Sequence, residues 1–256
     1  MKIVKPSQRH DRSQLWIGVL VLTTIAPIST AASEQVFQGV ARALEGGQTL
    51  YVEQHRIQGE CHDGAFRPHQ HQVEYLAPAG ERFALKHLSY TDGLAWQPSV
   101  RFEQTHIRER LEIRAAKDAP IDVHWQAPDN SPRHFQLPLT ERLVIDAAFH
   151  PFVVAHLDAL RRGERIPFEF LAPTRGESVA FELVPDTSRT GPGGDLQIRV
   201  QPASRLIRWF VDPILLSYDA QGRLTHYRGL TNIRASIDRN HLAHIEYQWT
   251  IDTPCS

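Results

Sequence analysis

The chain has 256 residues, with 28 lysines and arginines against 29 aspartates and glutamates. That near-neutral balance excludes a sequence-independent nucleic-acid binder, which needs a basic face. No Gly-x-Ser-x-Gly, His-Glu-x-x-His, Ser-x-x-Lys, phosphate-loop or Cys-x-x-Cys motif is present, so the familiar enzyme signatures are absent.

The first 32 residues read as a secretory signal peptide. Lys2, Lys5, Arg9 and Arg12 precede an apolar run from Leu15 to Ile28, and small residues follow in STAAS. The run is too short, and too interrupted by Thr and Pro, for a membrane span of about 20 residues. Cleavage after Ala31 or Ala32 leaves a mature chain of about 225 residues, read as a single β-rich domain over 33–256. It would hold 24 basic and 28 acidic residues, a net charge of about −4 with neutral histidines. The expected location is the periplasm or the exterior of a bacterial cell, with no stable membrane span after cleavage.

Residues 34–48 suit a short helix or a first strand turning at Gly46-Gly47. Strand patterns then follow in quick succession at 50–57, 69–76, 82–90, 99–105, 110–115, 121–125 and 133–139. They continue at 166–171, 179–184, 196–201, 213–219, 223–229 and 243–249. Short alternating runs rich in β-branched and aromatic residues, separated by turn residues, mark an antiparallel sheet. TSRTGPGGD (187–195) reads as a loop, and RLIRWFV (205–211) suits helix or strand equally. One segment, at about 150–162, has helical spacing. Phe149, Val153, His156, Leu157 and Leu160 fall on one side, Pro151 suits the first turn and Gly163 the stop. The fold class predicted is mainly β (α+β): a strongly curved antiparallel sheet or open β-barrel of about ten or more strands, packing one amphipathic helix.

Several segments resemble an uncharacterised family of exported bacterial β-rich proteins. They are VEYLAPAGERFALKHLSY, FHPFVVAHLDALRRGERIPFEFLAPTR and PILLSYDAQGRLTHYRGLTNI. The resemblance spans most of 48–249 and implies an envelope location and an extended β fold, with no established activity to carry over. A remoter likeness, at the level of fold alone, is to the periplasmic lipoprotein carriers.

Candidate chemistry concentrates in YVEQHRIQGECHDGAFRPHQHQVEY (51–75). On the first strand Tyr51, Glu53, His55 and Ile57 share a face, so Glu53 and His55 form a candidate acid–base pair. On the next, His69 and His71 share a face and, with His62 in the intervening loop, form a candidate metal set. A polar strand pair at the border of the core is the plainer reading. Lys86, mid-strand, reads more readily as an aggregation-blocking edge charge than as a site residue. Phe149, Phe152, Leu157, Trp209 and Phe210 are candidates to line a cavity between sheet and helix, or to be core.

Cys61 and Cys255 form an even pair in an oxidising compartment, which favours a disulfide. If the last strand paired antiparallel with the 50–57 strand, its end would lie up to ~30 Å from Cys61. The bond therefore requires those two strands to run parallel, or the tail to fold back.

The leading functional expectation is an envelope protein binding an apolar or lipid-like small molecule between sheet and helix, without a cofactor. A structural or partner-binding envelope protein is the alternative, and a metal-dependent or acid–base enzyme built on the 51–75 strand pair is the third.

Overall fold

The computed structural model describes residues 1–2, 32–91, 93–190, 195–204, 212–253 and 255. The leader reading, the glycines of 191–194 and the RLIRWFV segment with Trp209 and Phe210 lie outside these residues. No helix among the described residues is long and apolar enough to cross a membrane.

The strands are β1 (Ala32–Ala43), β2 (Thr49–His62), β3 (Ala65–Leu76), β4 (Arg82–Ser89) and β5 (Ser99–Gln104). Next come β6 (Glu109–Arg114), β7 (Ile121–Gln126), β8 (Pro132–Leu137), β9 (Leu143–Val144) and β10 (Ile166–Ala172). The last are β11 (Glu177–Thr190), β12 (Leu196–Pro202), β13 (Ile214–Tyr218), β14 (Leu224–Arg234) and β15 (Asn240–Asp252). Among the described residues they form one 15-stranded sheet, ordered β8 through β1, then β15 down to β9. Neighbours are antiparallel except β9 and β10, which pair in parallel at Glu169↔Leu143 and Phe170↔Val144. The loop expected from 187 is displaced, because β11 runs on to Thr190.

Turn chemistry sets the hairpins. Gly46 and Gly47 take φ of 75° and 67° between β1 and β2. Asp63-Gly64, with φ of 52° and 73°, forms a two-residue connection between β2 and β3, as expected of an Asp-Gly type I′ turn. Cys61 and His62 are thus strand residues at the end of β2, not loop residues.

The sheet curls strongly. At about 4.8 Å per ladder step, β4 and β14, five steps apart, would stand about 24 Å apart in a flat sheet. Yet Lys86 on β4 and Asn232 on β14 reach the two oxygens of one carboxylate, Asp146, at 2.7 and 3.4 Å. Farther along, Glu109 on β6 and Arg234 on β14 meet at 2.8 Å across a flat-sheet distance of about 34 Å. Eight strands, β14 through β6, therefore bend almost into a barrel that side chains close in place of a ladder. Glu109 is the clasp. It accepts from Arg234 Nη2 and Nε, Gln104 Nε2 and Trp125 Nε1, at 2.8, 3.1, 2.8 and 2.9 Å.

Two apolar cores result. The first fills the curl of β1–β8 with Tyr51, Val73, Leu88, Ile113 and Ile121. The second gathers Phe152, Leu160, Phe168, Leu183, Ile198 and Leu216. Strand alternation makes β9 and the next residue a shared wall, since Leu143 and Ile145 enter the first core and Val144 the second.

The helical segment opens with a 3₁₀ turn (Asp146–Ala148), then α1 (Phe149–Ala155) and α2 (Leu157–Arg161). The single helix expected over 150–162 is broken at His156 (φ −109°, ψ 6°), whose imidazole lies 2.8 Å from the Phe152 carbonyl. Phe152, Val153, Leu157 and Leu160 are buried, while Phe149 and His156 sit half-buried at the border.

Cys61 and Cys255 are disulfide-bonded, with Cα atoms 5.3 Å apart. The geometric obstacle dissolves because β1 lies between β2 and β15 and is antiparallel to both. Those two strands consequently run in the same direction. Gln35 pairs with Asp252 on one side, and Ala32 pairs with Glu60 on the other, so both cysteines arrive at the start of β1.

Candidate functional site

Inward side chains of β2 alternate as the sequence predicts, with Tyr51, Glu53, His55 and Ile57 all buried. Two cross-strand rows then assemble over β1. In the first, Gly39 pairs with Glu53 on β2 and with Tyr247 on β15. A Cβ at Gly39 would stand 2.6 Å from the Tyr247 ring. Because it is absent, Tyr247 reaches across β1 and donates its hydroxyl to Glu53 Oε2 at 3.0 Å. In the second row, Phe37 pairs with His55 and Trp249 and stacks on both rings, at centroid distances of 4.3 and 4.2 Å.

His55 Nε2 lies 3.0 Å from Glu53 Oε2, and His55 Nδ1 lies 3.0 Å from His71 Nε2. The carboxylate fixes the tautomers in turn. His55 donates Nε2–H to Glu53, its Nδ1 accepts Nε2–H from His71, and His71 Nδ1 is left with a bare lone pair. That nitrogen is buried and has no hydrogen-bond partner among the described residues. Burial, then the neighbouring His55, His150 and Lys86, hold the His71 imidazole well below the usual histidine range. His150, at the start of α1, is likewise held down to about 4 by burial and by His55. Its Nδ1 lies 3.2 Å from the Tyr218 hydroxyl. Burial, reinforced by Glu53, pushes the Tyr247 phenol up.

Lys86 is the inward cation of this seam. It is 2% exposed, its ammonium donates to Asp146 at 2.7 Å, and it stands 4.4 Å from the centre of the Phe102 ring. The edge-charge reading of Lys86 is corrected accordingly, because β4 lies between β3 and β5 and has no free edge.

The metal set His62, His69 and His71 is also corrected. A bulge at Gly59 breaks the period of two on β3: Gln58 pairs with Gln70, but Gly59 pairs with Pro68. A Cβ on Gly59 would lie 2.2 Å from the Arg67 carbonyl oxygen, so only glycine permits this approach. His69 is thereby turned outward to Glu60 at 3.5 Å, and exposed His62 contacts Asp63, while His71 stays inside.

Phe149 and Phe152 pack on Phe168, Phe149 also meets Phe170, Leu157 belongs to the same second core, and none of the three lines either of the two hollows described next. Trp209 and Phe210 are outside the described residues. The larger hollow is a trough of about 860 Å³ across β4–β8, lined by outward residues including His87, Arg101, Glu112, His124 and His134. The smaller, about 380 Å³, lies over Gln197, Arg199 and Leu215.

Glu53 and His55, the acid–base candidates of the sequence, lie side by side in this seam, and His71, a metal-ligand candidate there, joins them as a hydrogen-bond partner. Tyr247, His150 and Asp146 join the seam from distant parts of the chain and carry no local sequence signal.

No family model matches the chain, and no curated protein matches it. Among solved structures it is similar to a β-barrel-like protein of a domain of unknown function from Brucella abortus. The identity is 10%, with 85% of this chain and 95% of that one covered and a TM-score of 0.39.

Proposed function

We propose that the chain is an exported envelope protein that binds a small, largely apolar ligand at the polar seam between its two cores. The ligand presents one hydrogen-bond donor, a hydroxyl or amide, to His71 Nδ1. The observation that carries this reading is the buried nitrogen without a partner. An unsatisfied buried polar atom costs about 1–3 kcal/mol, and a ligand donor removes that cost. The state of the nitrogen supports the ligand class: the Glu53–His55 chain makes it an acceptor, and an anionic group would meet its lone pair unfavourably. The segment 146–161 is the cover, anchored by Lys86–Asp146 and by His150–Tyr218. The basic, apolar and small-residue pattern of residues 1–32 supports the exported part of this reading.

Native mass spectrometry of untagged protein released gently from the periplasm tests this. A bound small molecule is expected in the wild type and absent from His71→Phe, with circular dichroism unchanged. Wild-type protein free of any adduct contradicts the reading.

The carboxylate–imidazole–imidazole order also favours a second reading, an acid–base centre with His71 Nδ1 as the base. Recovery of the ligand chemically unchanged after prolonged incubation decides against it.

A further inference from the structure

We propose that Asp122, His124 and His134 form a divalent transition-metal site on the outer face of the sheet, separate from the buried seam. Asp122 and His124 sit two residues apart on β7 and so share a face. His134 lies directly opposite His124 on β8. The two imidazoles stack at a centroid distance of 4.4 Å, and both turn Nε2 toward the same carboxylate. His124 contacts Asp122 Oδ2 at 2.8 Å and His134 contacts Oδ1 at 2.5 Å. One ligand atom from each of the three residues lies within 4.8 Å of the other two.

An ion bound at about 2.0–2.2 Å to each ligand needs those atoms about 3.3 Å apart. The contacts of 2.8 and 2.5 Å therefore have to open by about 0.5 and 0.8 Å, on a strand pair held by a regular ladder. Each imidazole moves its proton from Nε2 to Nδ1 and offers Nε2 as the donor, so no proton need leave the protein. Two imidazoles with one carboxylate select zinc, copper or nickel over calcium or magnesium. His124 and His134 also line the trough of about 860 Å³, and β8 is an edge strand, so the remaining coordination positions face open space. A second group, His226, His244 and Glu246, meets the same distance criterion. There, however, His226 Nδ1 is engaged by the Thr225 hydroxyl at 3.1 Å.

The test is calorimetric titration of the untagged full chain with zinc chloride at neutral pH, comparing wild type, His134→Gln and His226→Gln. His134 is exposed, and its replacement leaves the ladder intact. Wild type and His226→Gln are expected to take one zinc per chain. His134→Gln is expected to bind at least about 100-fold more weakly, since loss of even an outer partner of a metal ligand costs 10–100-fold. Cobalt(II) is expected to give the visible absorption of a low-coordinate site in wild type and not in His134→Gln. Absence of binding in wild type, equal binding by His134→Gln, or loss of binding in His226→Gln overturns the proposal.

Discussion

Arg234→Met cuts the clasp that closes the curl. The guanidinium makes two of the four hydrogen bonds to Glu109, a carboxylate whose side chain is 7% exposed. Breaking a buried pair costs about 3–5 kcal/mol, because the abandoned charge stays buried. Gln104 and Trp125 remain as neutral donors, and Arg234 itself is 16% exposed, so the lower end applies. The expected loss is about 3 kcal/mol, a fall of about 1 M in the urea midpoint for a chain of this size. Adding Glu109→Gln to Arg234→Met removes the orphaned charge and is expected to restore most of the loss. Urea unfolding of wild type, both single variants and the double variant gives the coupling directly. A loss below about 1 kcal/mol for Arg234→Met, or a double variant no better than the worse single one, would refute the clasp as a closing device.

Stability is expected to fall on acidification through the buried histidines. His150 is held at about 4, and His71 well below its usual value, so the unfolded chain takes up their protons first. The stabilisation is complete above about pH 6.5 and is lost as pH falls from there to about 4, at most about 3 kcal/mol for His150. Urea midpoints measured across that range check this, and His150→Phe is expected to flatten the profile; a wild-type midpoint independent of pH contradicts it. The Cys61–Cys255 bond spans 194 residues of sequence, and its chain-entropy contribution is about 5 kcal/mol. Reductant is expected to lower the unfolding midpoint markedly, and non-reducing peptide maps of exported protein should show the linked pair; free thiol at both positions sinks it.

How much of this was legible in the sequence depended on whether the signal was local. The alternation of Tyr51, Glu53, His55 and Ile57 survives intact because β2 carries no irregularity on that stretch. On β3 the same rule fails at His69, since the bulge opposite Gly59 inserts a residue, and what permits the bulge is the absence of a side chain. For β1 the difficulty was different. EQVFQGVARAL has neither clean alternation nor a helical stripe, and the strand is specified by its two neighbours, one of them more than 200 residues away. The disulfide was readable as a pair of cysteines, but its route was not, because the intervening strand was unassigned. Lys86 looked like an edge charge only while its inward partner, Asp146, was unknown.

The seam itself is tested most directly by long-range proton–nitrogen correlation spectra of His71, recorded on the protein as gently isolated and again after extraction of any bound small molecule. The account predicts a neutral imidazole protonated at Nε2 at neutral pH, with an Nδ1 resonance that moves strongly when the ligand is bound. An imidazole protonated at Nδ1, or an Nδ1 resonance unchanged in the complex, would contradict it.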